Sequence, residues 1–180
     1  MDTMAEDVLG FWREAGPDLW FRGGEKFDRR CREHLLDAHM AASRGELAHW
    51  GDSADSALAL VLLLDQIPRN VFRGSAHAYA TDPLACAVAE RAVGHGFDHQ
   101  VDADMRTFFY LPFVHCESML EQDRAVELYQ TMEEPHAGKW AVHHRAIIQR
   151  FGRFPHRNQL LGRATTPTEQ EWLDAGGFSG

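Results

Sequence analysis

Leu58-Ala-Leu-Val-Leu-Leu-Leu-Asp-Gln-Ile-Pro-Arg-Asn70 is the stretch that decides the fold. It lies mostly within a segment, residues 54–66, that would be apolar on almost every side if it formed a helix. A helix of that kind is covered by neighbours all round, so we expect it at the centre of a helical protein. Proline disfavours helical geometry at the residue before it, and Pro68 therefore predicts the end of this helix at Ile67.

A second apolar helix with a polar end is predicted over residues 140–154. It contains most of the stretch His144-Arg-Ala-Ile-Ile-Gln-Arg-Phe-Gly-Arg-Phe-Pro-His-Arg-Asn158. The helical period places His144 on the same face as Ile148, so His144 is expected to point inward. Pro155 is expected to end the helix and, like Pro68, is followed closely by arginine and asparagine. We therefore predict that the two proline-terminated helices share one polar site.

The remaining segments also indicate helices. Gly16-Pro17 is expected to break the first helix, Asp82-Pro83 to begin another, and Thr166 to cap the last one. No alternating strand pattern occurs in the sequence. We expect an all-α fold, a single-domain array of antiparallel helix pairs with seven to nine short helices, over residues 1–180.

Composition narrows the classes of function. The net charge of −9 argues against general nucleic-acid binding, and the apolar fraction of 44% is typical of a globular protein. The three cysteines are isolated and suggest reduced thiols in the cytoplasm. The longest apolar run, residues 57–64, is too short to cross a membrane, so no membrane association is expected.

Asp65 is the first candidate for a functional residue. A buried carboxylate without a partner would cost several kcal/mol, so Asp65 requires a cation. Arg69 is near in sequence, and Arg153 and Arg157 are the distant candidates. An arginine at such a helix end can hydrogen-bond the C-terminal carbonyls of the helix or bind a phosphate or carboxylate bidentately, and residue type alone does not separate the two.

The other polar residues leave similar alternatives. Asn70 and Asn158 are expected to cap turns, to adopt left-handed geometry, or to contact a ligand. A metal site could be assembled through the fold from His115, Glu117, His144 and His156, but a buried histidine satisfied by a carboxylate or carbonyl is the commoner outcome. His-Glu-x-x-His, nucleophile-elbow, phosphate-loop and dinucleotide motifs are absent. We therefore predict no metal site and no cofactor.

Three segments resemble the signatures of a bacterial family catalogued as domain of unknown function 924. They are Leu64–Asn70, Phe109–Glu117 and His144–Asn158, followed by Leu161-Gly162-Arg163. Trp20-Phe21, Phe27-Asp28 and residues 80–83 match as well, so the resemblance covers nearly the whole chain. It differs from the family pattern at Ile67 and Cys116, where Phe and Ser are usual. The resemblance implies a fold similar to tetratricopeptide-like helix pairs and implies no activity, cofactor or catalytic residue.

Three functions remain open at this point. The first is a pocket that binds a small anionic ligand or a peptide carboxylate. The second is an enzyme that uses a histidine and a carboxylate in the same pocket. The third is a structural ion-pair network with an outer surface for a protein partner. The candidate site residues are Asp65, Arg69, Asn70, His115, Glu117, His144, Arg145, Arg153, His156, Arg157 and Asn158.

Overall fold

The computed structural model describes residues 2–132 and 138–178, and their regular structure is helical. The helices are α1 (Thr3–Arg22), α2 (Gly24–Ser43), α3 (Ala54–Val61), α4 (Ile67–Val71), α5 (Asp82–Gly94), α6 (Thr107–His115), α7 (Met119–Gln130), α8 (Lys139–Phe151) and α9 (Pro167–Asp174). These two ranges contain no strand, so the prediction of an all-α protein is confirmed. No helix within them is both long and apolar enough to cross a membrane. The tetratricopeptide-like pairing stays a prediction.

The chain divides into two compact units, Met1–Pro112 and Phe113–Gly180. The single domain over residues 1–180 stays a prediction. In the first unit, Gly16 has φ 71° and breaks the helical geometry of α1 in front of Pro17. Only glycine adopts this backbone region without strain, so the expected break at Gly16-Pro17 is confirmed.

The predicted central helix is buried in the first unit. Every residue from 56 to 71 is buried except Arg69, which is intermediate. The run includes α3, a π-helical turn at Leu62–Gln66, and α4. Its apolar side chains are covered on all sides, as expected for a helix with no polar face.

The helix does not end at Ile67 in front of Pro68, and that prediction is wrong. The π turn bonds the Ile67 N–H to the Leu62 carbonyl, five residues back. The carbonyls of Leu63 and Leu64 then accept side-chain donors, Nδ1 of His39 at 2.8 Å and Oγ1 of Thr81 at 2.5 Å. The chain thus continues as helix to Val71 past Pro68, which has no N–H to donate.

The second unit contains α7, α8 and α9, and α7 packs against α8. Helix α8 ends at Gly152, which has φ 70°, and not at Pro155 as predicted. A left-handed glycine turns the chain out of the helix three residues before the proline, which instead begins a short 3-10 turn, Pro155–Arg157. Thr166 and Glu169 form a capping box at α9, which confirms the cap predicted there.

Candidate functional site

Asp65 lies in the π turn of the first unit, and its side chain is 1% exposed. Its carboxylate accepts a hydrogen bond from Nε2 of Gln66 at 2.6 Å, and its Oδ1 lies 3.2 Å from NH1 of Arg69. Arg69 therefore supplies the cation that a buried Asp65 was predicted to need. Because π turns inside α-helices are often found at functional sites, this pair is the first candidate region.

Arg69 also holds a second carboxylate, which the sequence did not indicate. Its NH1 and NH2 donate to Oδ1 and Oδ2 of Asp82 at 2.8 and 3.0 Å. Its NH1 also donates to the Asp65 carbonyl at 2.6 Å. Asp82 begins α5, as expected for Asp82-Pro83, and Thr81 precedes it at the N-cap position. The Arg69 guanidinium is thus engaged by two aspartates of its own unit.

Asn70 has neither of its expected roles at a turn. Its backbone is helical, and its Nδ2 donates to the Gln66 carbonyl at 2.9 Å. Its Oδ1 accepts from Arg73 at 3.3 Å. With His39, Thr81 and Arg69, it completes a set of four side chains that satisfy the consecutive carbonyls of residues 63–66. Asn70 therefore stabilises the π turn.

In the second unit, Glu117 pairs with Arg163. NH1 and NH2 of Arg163 donate to the two Glu117 oxygens at 2.6 and 2.9 Å, and the Phe154 N–H donates to Oε1 at 2.7 Å. Burial opposes ionisation, but these donors hold the pKa of Glu117 below its usual value. Nε of Arg163 also donates to Oδ1 of Asn158 at 3.0 Å. The sequence placed Arg163 only in the family resemblance and gave no sign of this pair.

Arg153 forms the second bidentate pair of this unit. Its Nε and NH2 donate to the carboxylate of Glu169 at 2.6 and 2.8 Å, and its NH2 also donates to the Ala164 carbonyl. Asn158 joins the network, because its Nδ2 lies 3.3 Å from Oε2 of Glu169. Asn158 is helical and does not adopt left-handed geometry. The Arg153 bonds and those of the capping box lower the pKa of Glu169 to about 2.

Arg145 lies on the outer side of α8. Its Nε donates to Oδ1 of Asp123 on α7 at 2.5 Å, and both side chains are at least one third exposed. Exposed pairs of this kind contribute less than about 1 kcal/mol. The contact links α7 to α8 and does not place Arg145 beside the buried histidine of α8.

His144 faces the interior of the second unit, as predicted, and is 7% exposed. Its Nδ1 bonds to the Trp140 carbonyl at 2.8 Å, which requires the proton to be on Nδ1. Its ring centroid lies 5.4 Å from that of Phe154. Burial is the main cause that lowers the pKa of His144 to about 3, with further contributions from His115, His143 and Arg157.

His156 and Arg157 both lie close to the ring of Phe154. The His156 ring is 5.6 Å from Phe154, and the Arg157 guanidinium carbon is 4.5 Å from the same ring centroid. Nδ1 of His156 is shielded from water and has no hydrogen-bond partner among the described residues. Burial lowers the pKa of His156 to about 4, and the charge of Arg157 is the next largest cause.

We refer to His115, His144, His156 and Arg157 as the histidine cluster. Its members influence one another electrostatically, because His115 and Arg157 each lower the pKa of both His144 and His156. The cluster thus combines two imidazoles that are uncharged at neutral pH, those of His144 and His156, with a permanent cation. No group of three or more His, Cys, Asp or Glu residues in ranges 2–132 and 138–178 is arranged to hold a metal ion.

Comparisons with known proteins agree with the helical fold. The model of a family described as "Bacterial protein of unknown function (DUF924)" matches residues 8–177. A solved structure of a protein of unknown function from Agrobacterium tumefaciens is similar over 97% of this chain and 98% of that chain, with a TM-score of 0.93 and 50% sequence identity. None of the curated proteins that were compared matches the chain significantly.

Proposed function

Since the chain belongs to the bacterial family of unknown function DUF924, we propose a function from the polar residues themselves: the protein binds a small anion at the histidine cluster. The anion class is a carboxylate or a phosphate monoester, which guanidinium and imidazole N–H groups recognise through charge-assisted hydrogen bonds.

The three cysteines form no disulfide in the described residues, which supports the further proposal of a cytoplasmic location.

One observation carries the proposal. Arg157 is 6% exposed, and its guanidinium carbon lies 4.5 Å from the Phe154 ring centroid. The ring centroids of His144 and His156 lie 5.4 and 5.6 Å from the same ring, so a permanent cation and two imidazoles share a poorly solvated region. An anion that enters would be attracted by Arg157, and it would also favour protonation of His156. Nδ1 of His156 has no hydrogen-bond partner among the described residues and would gain one from such a ligand. Binding should therefore be accompanied by proton uptake.

Arg69 and Arg153 fit this site less well than the sequence suggested. Each already holds a carboxylate of its own unit with two hydrogen bonds, Asp82 and Glu169 respectively. A ligand would have to replace these bonds, which would cancel most of the gain. We therefore assign both arginines to stabilising ion pairs.

The enzyme alternative receives less support. The enzyme predicted from the sequence uses a histidine as general base, oriented by a carboxylate. His144 bonds to the Trp140 carbonyl instead, and the pKa values of His144 and His156, about 3 and about 4, are far below neutral. A base of that strength accepts a proton poorly, and we propose binding rather than catalysis.

The experiment is calorimetric titration of the full chain with inorganic phosphate, in two buffers that differ in ionisation enthalpy. We expect proton uptake on binding. Arg157→Gln should weaken binding by about tenfold or more, because a charge-assisted hydrogen bond contributes about 1.5–3 kcal/mol and 1.4 kcal/mol is tenfold. His156→Phe keeps a ring in place and should abolish most of the proton uptake.

Arg150→Gln is the matched control, since Arg150 is an exposed arginine of α8 that stacks on Phe151. The phosphate affinity of Arg150→Gln should equal that of the wild type. Thermal unfolding of each variant checks that it remains folded. Equal phosphate affinity in the wild type, Arg157→Gln and His156→Phe would rule out the histidine cluster as the site.

The second candidate function is a structural network. The hydrogen bonds of three other candidate site residues in the second unit favour it. Glu117, Asn158 and Arg153 are linked through Arg163 and Glu169 into continuous hydrogen bonds. In this alternative the network orders the second unit, and a protein partner binds an outer surface. Exposed Trp140 and Val142 on α8 would be candidates for that surface. Stability measurements on Glu169 variants, described below, test the network.

A further inference from the structure

The side chain of Phe178 lies within a group of aromatic rings in the second unit. Its ring centroid is 4.7 Å from that of His144 and 5.0 Å from that of His156, with interplanar angles of 67° and 84°. His143 and Trp140 follow at 5.8 and 6.1 Å. We call these four surrounding residues, Trp140, His143, His144 and His156, the aromatic socket. Edge-to-face arrangements at these distances are favourable for uncharged rings.

The backbone before Phe178 is held against Trp172. The Gly177 N–H donates to the Trp172 carbonyl at 3.0 Å, and the Gly176 N–H donates to the Leu173 carbonyl at 3.1 Å. A Cβ on Gly177 would come within 2.5 Å of the indole ring of Trp172. Gly176 has φ 84°, which favours glycine as well. Two adjacent glycines therefore allow the chain to lie flat on the indole and to direct Phe178 into the socket.

The aromatic socket includes two residues that are exposed to solvent and two that also belong to the histidine cluster. Trp140 is 61% exposed and His143 is exposed, whereas His144 is buried. His144 and His156 belong to both groups of residues. A ring in the position of Phe178 therefore lies directly against the two histidines that we assign to anion binding.

We propose that the aromatic socket binds the ring of an aromatic carboxylate or aromatic phosphate, and that Phe178 occupies the socket when no ligand is bound. This inference rests on the proposed function, because His156 and Arg157 would bind the anionic group of the same ligand. The side chain of Phe178 acts as an internal competitor. It makes no polar contact that a ligand ring would fail to replace. Because it is tethered to the chain, it competes at a high effective concentration, and its removal should favour the ring of the ligand.

The test compares phenyl phosphate with inorganic phosphate in calorimetric titrations of the full chain. In Phe178→Ala the socket is vacant, and the ratio of phenyl phosphate affinity to phosphate affinity should rise about threefold to tenfold above the wild-type ratio. Gly177→Ala should also raise the ratio of phenyl phosphate affinity to phosphate affinity, because its Cβ would clash with Trp172 and displace the segment that carries Phe178.

Gly94→Ala is the control, since a Cβ at Gly94 meets no atom within 4 Å and Gly94 belongs to the first unit. Its affinity ratio should stay at the wild-type value. Phosphate binding with an unchanged ratio in Phe178→Ala and Gly177→Ala would overturn this inference and leave the proposed anion site standing. Failure of both anions to bind to any of these proteins would overturn the anion site and this inference together.

Discussion

Glu169→Gln removes the charge at the centre of the ion-pair network of the second unit. Glu169 is 3% exposed and accepts hydrogen bonds from Arg153, Asn158 and the Thr166 backbone. Glutamine has nearly the same shape but only one acceptor oxygen, and its amide N–H groups face the Arg153 donors. The substitution therefore disrupts the bidentate pair with little change in packing.

The expected loss of stability follows from these contacts. Breaking a fully buried pair costs about 3–5 kcal/mol, but the Arg153 side chain is 28% exposed and can regain water. Loss of a capping interaction adds about 1 kcal/mol or less, because the Thr166 hydroxyl still caps α9. We expect a total loss of about 2–3 kcal/mol at neutral pH, which for a chain of this size lowers Tm by roughly 5–10 °C.

The loss must depend on pH in a defined direction. Interactions in the folded protein lower the pKa of Glu169 from 4.5 to about 2. The stabilisation is therefore complete above the unfolded-state pKa of 4.5 and is lost as the pH falls towards 2. The difference in free energy of unfolding between the wild type and Glu169→Gln should be constant above about pH 5 and decrease below pH 4.5.

Urea unfolding followed by far-UV circular dichroism measures this difference at each pH. Glu171→Gln is the matched control, because Glu171 is an exposed glutamate of the same helix. It should differ from the wild type by less than about 0.5 kcal/mol. The reasoning is refuted if Glu169→Gln is as stable as Glu171→Gln at neutral pH, or if its deficit is the same at low and neutral pH.

Two further predictions concern buried polar groups. Thr81→Val should lower the free energy of unfolding by about 1–3 kcal/mol, because the Leu64 carbonyl in the π turn loses its 2.5 Å hydrogen bond. Urea titrations measure this change, and an unchanged free energy of unfolding would show that the bond does not stabilise the fold. Burial lowers the pKa of His144 from 6.5 to about 3, so the stabilisation from the neutral histidine is present above pH 6.5 and decreases as the pH falls towards 3. His144→Phe should unfold with a weaker pH dependence over that range, and identical slopes for wild type and variant would contradict the lowered pKa.

The sequence predicted the helical elements well where the signal was local. The apolar run identified the central buried helix, predicted over residues 54–66, and the apolar period identified the inward face of α8. Thr166 identified the cap of α9. The sequence-based prediction of the helix ends was wrong at both Pro68 and Pro155. Pro68 is accommodated by the π turn, and α8 ends at Gly152 before Pro155 is reached. A proline rule considers only the residue and its neighbours, whereas the His39 and Thr81 donors lie on other segments.

The candidate site was predicted by residue type but not by partner. The sequence required a cation for Asp65, and Arg69 supplies that cation. The sequence gave no sign that Asp82 would share Arg69 or that Glu169 would hold Arg153. The shared pocket of the two proline-terminated helices stays a prediction. Phe178 was missed because a single aromatic residue beyond the last helix carries no periodic signal.

By itself, the sequence determined that the chain is helical and which helix faces are buried, because periodicity and caps act within a few residues of the backbone. Only the tertiary structure decided which carboxylate each arginine holds and which rings surround Phe178. Those choices depend on distances between residues far apart in the chain, such as Glu117 and Arg163. A guanidinium binds any carboxylate with suitable geometry, so the packing of the helices, and not residue type, selects its partner.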